Sequence, residues 1–240
     1  MDDIITATIT AIDTGDCTIG VWVRPDNAGE GNIGSMLIIE STTYVLILRF
    51  DASTRVVRSL YNYTTADASS LSVETLALAV WACVFVTFRA SDAKLRIYFG
   101  DLDSPMTEVT YTSQGAGSGT RETGGTNFKI GNRSATDRTF NGQLAGALCD
   151  AREWTLAEME AFRLGVRPVQ TGSLRGFWPL DSPNAAQAED LSGQGANGTV
   201  TGALVAEDPP VPMGWNPAVA PVLFMPAPAG TNLLAKMMEY

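Results

Sequence analysis

The run Trp81-Ala-Cys-Val-Phe-Val-Thr-Phe88 carries apolar side chains on both faces of its pleat. Successive strand residues point to opposite sides, so a strand with one wet face alternates, whereas an unbroken apolar run needs a covering layer on each side. This strand is therefore expected at the centre of a sheet buried on both faces. From residue 1 to about 150 the rest of the chain is a succession of short β-branched and aromatic runs separated by Gly, Asn, Asp, Ser and Thr. That is the pattern of an antiparallel all-β domain. The expected strands are Ile4 to Ile12, Cys17 to Arg24, Ser35 to Ile39, Thr43 to Phe50, Val56 to Tyr63, Trp81 to Ala90, Lys94 to Phe99, Phe128 to Gly131 and Gln143 to Ala151.

One helix is signed. Thr155 stands three residues before Glu158 as a capping box, and Leu156, Met159 and Phe162 make an apolar stripe that Gly165 closes. After Pro168, Leu174 to Trp178 and Thr199 to Leu204 read as returning strands. Beyond Asp208 the composition changes: seven of the twelve prolines lie between Pro209 and Pro228, and no charged residue occurs from Pro209 to Ala235. Such a stretch cannot pair as a central strand, and Trp215, Val222, Leu223, Phe224 and Met225 are too apolar for a solvated linker. The expected organisation is a domain over residues 1–208 and an extended arm over 209–240. The arm docks on a surface, preferably a neighbouring subunit, with Leu233, Leu234 and Met237 on a short terminal helix.

Composition removes whole classes of function. The 240 residues hold 16 Lys and Arg against 26 Asp and Glu, a net charge of −10, which opposes binding to nucleic acid. No histidine is present, which excludes Ser-His-Asp and Cys-His nucleophile systems and His-ligated metals. Cys17, Cys83 and Cys149 are odd in number and far apart, and are expected as buried free thiols. The acidic start MDDIITATIT lacks the basic region of a signal peptide, and no apolar run is long enough to span a bilayer, so neither classical secretion nor membrane insertion is expected.

Four blocks resemble the laminin-G-like branch of the concanavalin-A-like lectin and glucanase superfamily. They are Cys17-Thr-Ile-Gly-Val-Trp-Val-Arg-Pro25; Trp81 to Phe88 with Leu95-Arg-Ile-Tyr-Phe-Gly100; Phe128-Lys-Ile-Gly131 with the segment Phe140 to Glu158; and Gly176-Phe-Trp-Pro-Leu-Asp181 with Asp190-Leu-Ser-Gly193 and Gly195 to Gly202. The resemblance implies an antiparallel β-sandwich, a jelly roll of concanavalin-A-like type. It also implies calcium in many members, held by a loop carboxylate with Asn or backbone carbonyls, but no ligand set aligns here. Asp101-Leu-Asp103 opens like a calcium loop, yet Met106 and Thr112 stand where an EF-hand needs Gly and Glu, so it reads as a turn and no cofactor is assigned.

The glucanase branch would need closely spaced carboxylates of the E-x-D-x-x-E kind on one strand, and none occurs. Glu153, Glu158 and Glu160 are explained by the helix start. Gly115-Ala-Gly-Ser-Gly119 lacks the Lys and helix of a phosphate loop and reads as a flexible hairpin. The sequons at Asn62, Asn132 and Asn197 mark loops. Trp22, Trp81, Trp154 and Trp178 read as core and Trp215 as interface. Saccharide-binding chemistry is supplied by Tyr61, Asn62, Tyr63, Asn132, Arg133, Asp137 and Arg138.

The expected function is a non-enzymatic structural protein. By analogy with phage particle domains it is a capsid decoration or fibre subunit made in the host cytoplasm, with copies of itself, a viral shell protein and cell-surface glycans as partners. The alternative is a carbohydrate-binding adhesion module, and a glucanase-like hydrolase is disfavoured by the missing carboxylates.

Overall fold

A computed structural model describes residues 3–12, 15–51, 53–181 and 186–203. The arm expected over 209–240, with Trp215, Val222, Leu223, Phe224, Met225, Leu233, Leu234 and Met237, lies outside the described residues. In chain order the elements are β1 (Ile4–Thr8), β2 (Cys17–Pro25), a 3-10 turn (Glu30–Asn32), β3 (Ser35–Glu40), β4 (Tyr44–Asp51), β5 (Val56–Tyr61), β6 (Ala68–Thr75), β7 (Ala82–Arg89), β8 (Lys94–Asp101), β9 (Thr107–Glu108), β10 (Tyr111–Gly115), β11 (Asn127–Ile130), β12 (Gly142–Asp150), α1 (Leu156–Arg163), β13 (Leu174–Trp178), β14 (Gln187–Ala188) and β15 (Gly198–Thr201).

Two antiparallel sheets form a sandwich. The larger runs β10-β6-β5-β4-β3-β11-β1-β15-β14 and the smaller β13-β12-β2-β7-β8-β9. The apolar strand β7 lies between β2 and β8, as its sequence requires. Its Val84, Val86 and Phe88 enter the core between the sheets, where Leu37, Leu48, Phe128 and Trp178 meet them. Cys83 and Phe85 point the other way, into a second apolar cluster under α1. There the Phe85 ring stands edge-on to Phe162, centroids 5.3 Å apart, and 5.5 Å from Trp154. A strand with layers on both faces is thus realised by a sheet on one side and a helix on the other.

The capping box of α1 is present in full: Thr155 Oγ1 accepts from the Glu158 backbone N–H, and the Glu158 carboxylate accepts from the Thr155 N–H. Met159 and Phe162 are buried, whereas Leu156, in the first turn, is 48% exposed. Trp22, Trp154 and Trp178 are core residues and Trp81 is partly buried against the outer cluster. All three cysteines are free and buried.

The strand β6 was not legible as a strand. Its inward positions are Ser70 and Ser72, which are fully buried but satisfied: Ser70 Oγ donates to Leu95 O at 2.7 Å and Ser72 Oγ to Glu74 O at 2.7 Å. Polar letters therefore face the core, and the hydrophobic alternation disappears. Of the segment 115–119, Gly115 ends β10, which pairs with β6, and the rest is a loop held by a single bridge from Ser118 to Ala66; Gly117 lies under Tyr63 so closely that a Cβ there would be 2.3 Å from the ring. No helix among the described residues is long and apolar enough to cross a membrane.

Candidate functional site

The seven residues expected to contact a saccharide fall into two groups. Tyr61 ends β5 and Asn62 and Tyr63 follow it, and among the described residues no hydrogen bond, ion pair or ring contact joins them to the loop between β11 and β12. Tyr61 is fully buried, its ring 4.6 Å from Phe88 and 5.3 Å from the Arg121 guanidinium. A buried ring cannot stack on a ligand, so Tyr61 is corrected from site to core. Asn62 Nδ2 donates to Tyr44 O at 3.2 Å, and Asp67 gathers this corner by accepting from the Tyr44 hydroxyl at 2.8 Å and the Tyr63 N–H at 3.0 Å. Burial, and then the Asp67 carboxylate, push the Tyr44 hydroxyl upward, so it stays a donor at neutral pH.

The second group is a built loop. Asn132 is fully buried: its Nδ2 donates to Thr139 Oγ1 at 2.8 Å, and its Oδ1 accepts from the N–H groups of Arg133 at 2.8 Å and Arg138 at 3.2 Å. It shapes the loop from inside and is corrected from ligand contact to scaffold. Asn197, exposed on its own loop, accepts from the Asp190 N–H through Oδ1 at 2.9 Å. Arg133 grips Asp137 with a bidentate fork, which holds the Asp137 carboxyl below the ordinary carboxylate range. The loop is tied at one end by Ser134 to Glu40 and at the other by Ser35 N–H to Arg138 O at 2.8 Å. Those two anchors bracket Ile38, which faces outward from β3 and is only 1% exposed.

Against this loop lies the segment between β2 and β3. Glu30 N–H donates to Thr139 O and Asp26 N–H to Asn141 O, each at 2.9 Å. Gly29 permits the approach: its φ is 76°, and a Cβ there would stand 2.4 Å from Gly34 Cα and 2.6 Å from Thr139 O. Between the two loops opens a cleft of about 400 Å³ lined by Asp3, Asn27, Gly29, Glu30, Thr139, Phe140 and Asn141. None of these was singled out from the sequence, because Asp3, Asn27 and Asn141 are remote in the chain and unremarkable as letters. Only the pairing of the loops assembles them.

The resemblance implies calcium, and the cleft offers the donor chemistry of a hard cation. It holds two carboxylates and two side-chain amides; Asn27 Oδ1 already accepts from the Gly29 N–H at 2.7 Å and Glu30 Oε2 from the Thr139 hydroxyl at 3.2 Å, while Asp3 Oδ1 is buried without a hydrogen-bond partner. Among the described residues no group of three or more His, Cys, Asp or Glu side chains is placed to hold a metal. Asp101 Oδ1 accepts from the N–H groups of Asp103 and Ser104 at 2.8 and 2.6 Å, which makes 101–104 the expected turn. The three glutamates near α1 are also engaged structurally: Glu153 takes a fork from Arg89 at 2.9 Å, Glu158 caps the helix, and Glu160 binds Arg163 and the Met106 N–H.

Comparison with solved structures gives the same sandwich. A Bacteroides ovatus protein described as a candidate carbohydrate-binding protein aligns over 88% of this chain and 62% of its own at a TM-score of 0.58 and 16% identity. A heptameric SAP-like pentraxin from Limulus polyphemus aligns over 78% of this chain and 86% of its own at 0.53 and 12%. Tailspike protein 2 of the Escherichia coli O157:H7 bacteriophage CAB120 aligns over 72% of this chain and 26% of its own at 0.51 and 12%. This chain thus spans less than two thirds of the Bacteroides protein and about a quarter of the tailspike, and at these identities the likeness is one of fold. No curated protein sequence matches significantly. A family model for laminin-G-type domains matches residues 2–155, and strands β13 to β15 complete both sheets beyond it. The chain belongs to the concanavalin A-like lectin/glucanases superfamily.

Proposed function

We propose that this chain is a non-enzymatic binding protein whose lectin-like sandwich recognises a saccharide at the rim formed by the 26–34 and 131–141 loops. The observation that carries the reading is the braced loop itself. Arg133, Asp137 and Arg138 are fixed by backbone and side-chain bonds on the loop whose end, Thr139 to Asn141, lines a cleft of about 400 Å³, an arrangement of rigid polar groups suited to hydroxyl-rich ligands. The cleft residues Asp3 and Glu30, with the Asn27 and Asn141 amide oxygens, would hold calcium, which would brace the two loops from within.

The same reading places the chain in a phage particle, as a decoration or fibre subunit that associates with its own copies or with a shell protein. Its support is the family resemblance together with the apolar proline-rich segment 209–240. Two measurements test it. A glycan array probed with the full chain should show a restricted set of hits that the double variant R133A/D137A loses; hits unchanged by that variant would remove the rim from the reading. Mass spectrometry of density-purified particles should find the chain at a fixed ratio to the major shell protein, and its absence would overturn the particle role.

A further inference from the structure

The outward face of the larger sheet carries an unusual concentration of guanidinium groups. Leu48, Phe50 and Val57 enter the core between the sheets, so Arg49 on β4 and Arg58 on β5 project from the opposite face. They are direct cross-strand partners. Like charges so placed are about 4.5–5.5 Å apart at Cβ and destabilise the pair. A single carboxylate oxygen serves both: Asp51 Oδ1 lies 3.2 Å from Arg58 Nη1 and 3.7 Å from Arg49 Nη2. The Nε atoms of both arginines are buried without a hydrogen-bond partner.

Arg138 reaches the same patch from the 131–141 loop: its carbonyl accepts from the N–H of Ser35, the β3 partner of Arg49, at 2.8 Å, and burial first, then the charges of Arg58 and Arg138, lower the proton affinity of Arg49. Its carboxylate neighbour Asp137, 3.9 Å away, is already held by Arg133. Arg49 and Arg58 thus share Asp51, and Arg133 and Arg138 share Asp137 with Glu40 also acting on Arg133, four guanidinium groups to three carboxylates in a chain whose net charge is −10. The Arg49 and Arg58 side chains remain 19% and 30% exposed. Beside them the half-buried Leu60, whose cross-strand partner Ile47 is only 8% exposed, offers an apolar side chain.

We propose that Arg49, Arg58 and Arg138 form a receptor for the anionic substituent of an acidic saccharide, a carboxylate or a sulfate ester, with Leu60 beneath the ring carbons. Guanidinium forks match both oxyanions in geometry. The negative charge of the rest of the chain disfavours a long polyanion and leaves a short acidic oligosaccharide as the fitting ligand. This inference rests on the saccharide-binding reading above and names its ligand class.

Calorimetric titration of the full chain tests it, using a short oligogalacturonate, a sulfated oligosaccharide of similar length, their uncharged parents and a short single-stranded oligonucleotide. One or both acidic saccharides should bind, more weakly as salt rises. R49Q and R58Q should each weaken that binding about tenfold or more, since each removes a charge-assisted contact. Their melting temperatures should hold or rise, because a like-charge pair is relieved. Preference for the carboxylated or the sulfated probe would identify the substituent. Binding of neutral but not acidic saccharides would overturn this inference and leave the lectin reading standing. Acidic binding indifferent to R49Q and R58Q would also overturn it, as would equal binding of the oligonucleotide through the same residues. Failure to bind any saccharide would remove both readings.

Discussion

Replacing Asp190 with Ala should cost about 4 kcal/mol of folding stability, between about a quarter and four fifths of the roughly 5–15 kcal/mol available to a domain. Asp190 is 9% exposed and sits between β14 and β15. Its Oδ1 accepts from the N–H groups of Phe177 at 3.0 Å and Ser192 at 2.9 Å. Its Oδ2 accepts from the Ser192 hydroxyl and the Ala196 N–H, both at 2.8 Å. Removal strands three buried backbone donors at roughly 1–3 kcal/mol each. Water entering from the nearby surface recovers part of that sum, hence the figure near its lower half. The damage should spread, because Ala196 O accepts from Trp178 Nε1 at 2.8 Å and the Trp178 ring stacks on Phe128 at 4.8 Å. Asp190→Asn keeps one accepting oxygen but turns an amide N–H₂ toward a backbone N–H, and should cost about 2–3 kcal/mol. Urea unfolding followed by circular dichroism measures both through the midpoint and slope. An alanine variant within about 1 kcal/mol of the parent, or an Asn variant less stable than the Ala one, would refute the hydrogen-bond reasoning.

Calcium should raise the melting temperature of the full chain, and Asp3→Asn should remove that increment, as differential scanning calorimetry with calcium and with chelator will show. Thr155→Ala should lose about 1 kcal/mol, because both halves of the α1 capping box depend on its side chain or position, and chemical denaturation reads this directly. The thiols should be inert to a thiol reagent in the folded chain at pH 8 and react on unfolding, since burial raises all three and pushes Cys17 up to about 12. The same shift fixes a pH dependence. Unfolded thiols ionise near their ordinary value of 9.0 while Cys17 keeps its proton to about 12, so stability should be fully present below pH 9 and fall as pH rises between the two. A stability profile flat over that interval would contradict the burial.

The blocks that carry the family resemblance were legible because each has a local physical cause. The apolar run at 81–88 announces a doubly covered strand, and the Asp190-Leu-Ser-Gly193 letters are those of a self-bonded loop. The capping box of α1 is a local pattern of the same kind. Legibility failed where the determining contact is remote. Ser70 and Ser72 look like loop residues until the carbonyls that accept their protons are in place. Tyr61 and Asn132 have the letters of a sugar site, but Tyr61 points into the core and Asn132 is consumed by its own loop.

By itself the sequence determined the fold class, the helix and its cap, the burial of the cysteines and the exclusion of histidine chemistry, since all follow from composition and short-range periodicity. Only the tertiary structure decided which polar residues meet. The alternation of a strand tells which side a residue takes, but not which strand becomes its neighbour. The register of β4 against β5 opposes Arg49 to Arg58, and the docking of two loops brings Glu30 against Thr139, 109 residues away in the chain. Those pairings depend on long-range contacts that no local pattern encodes.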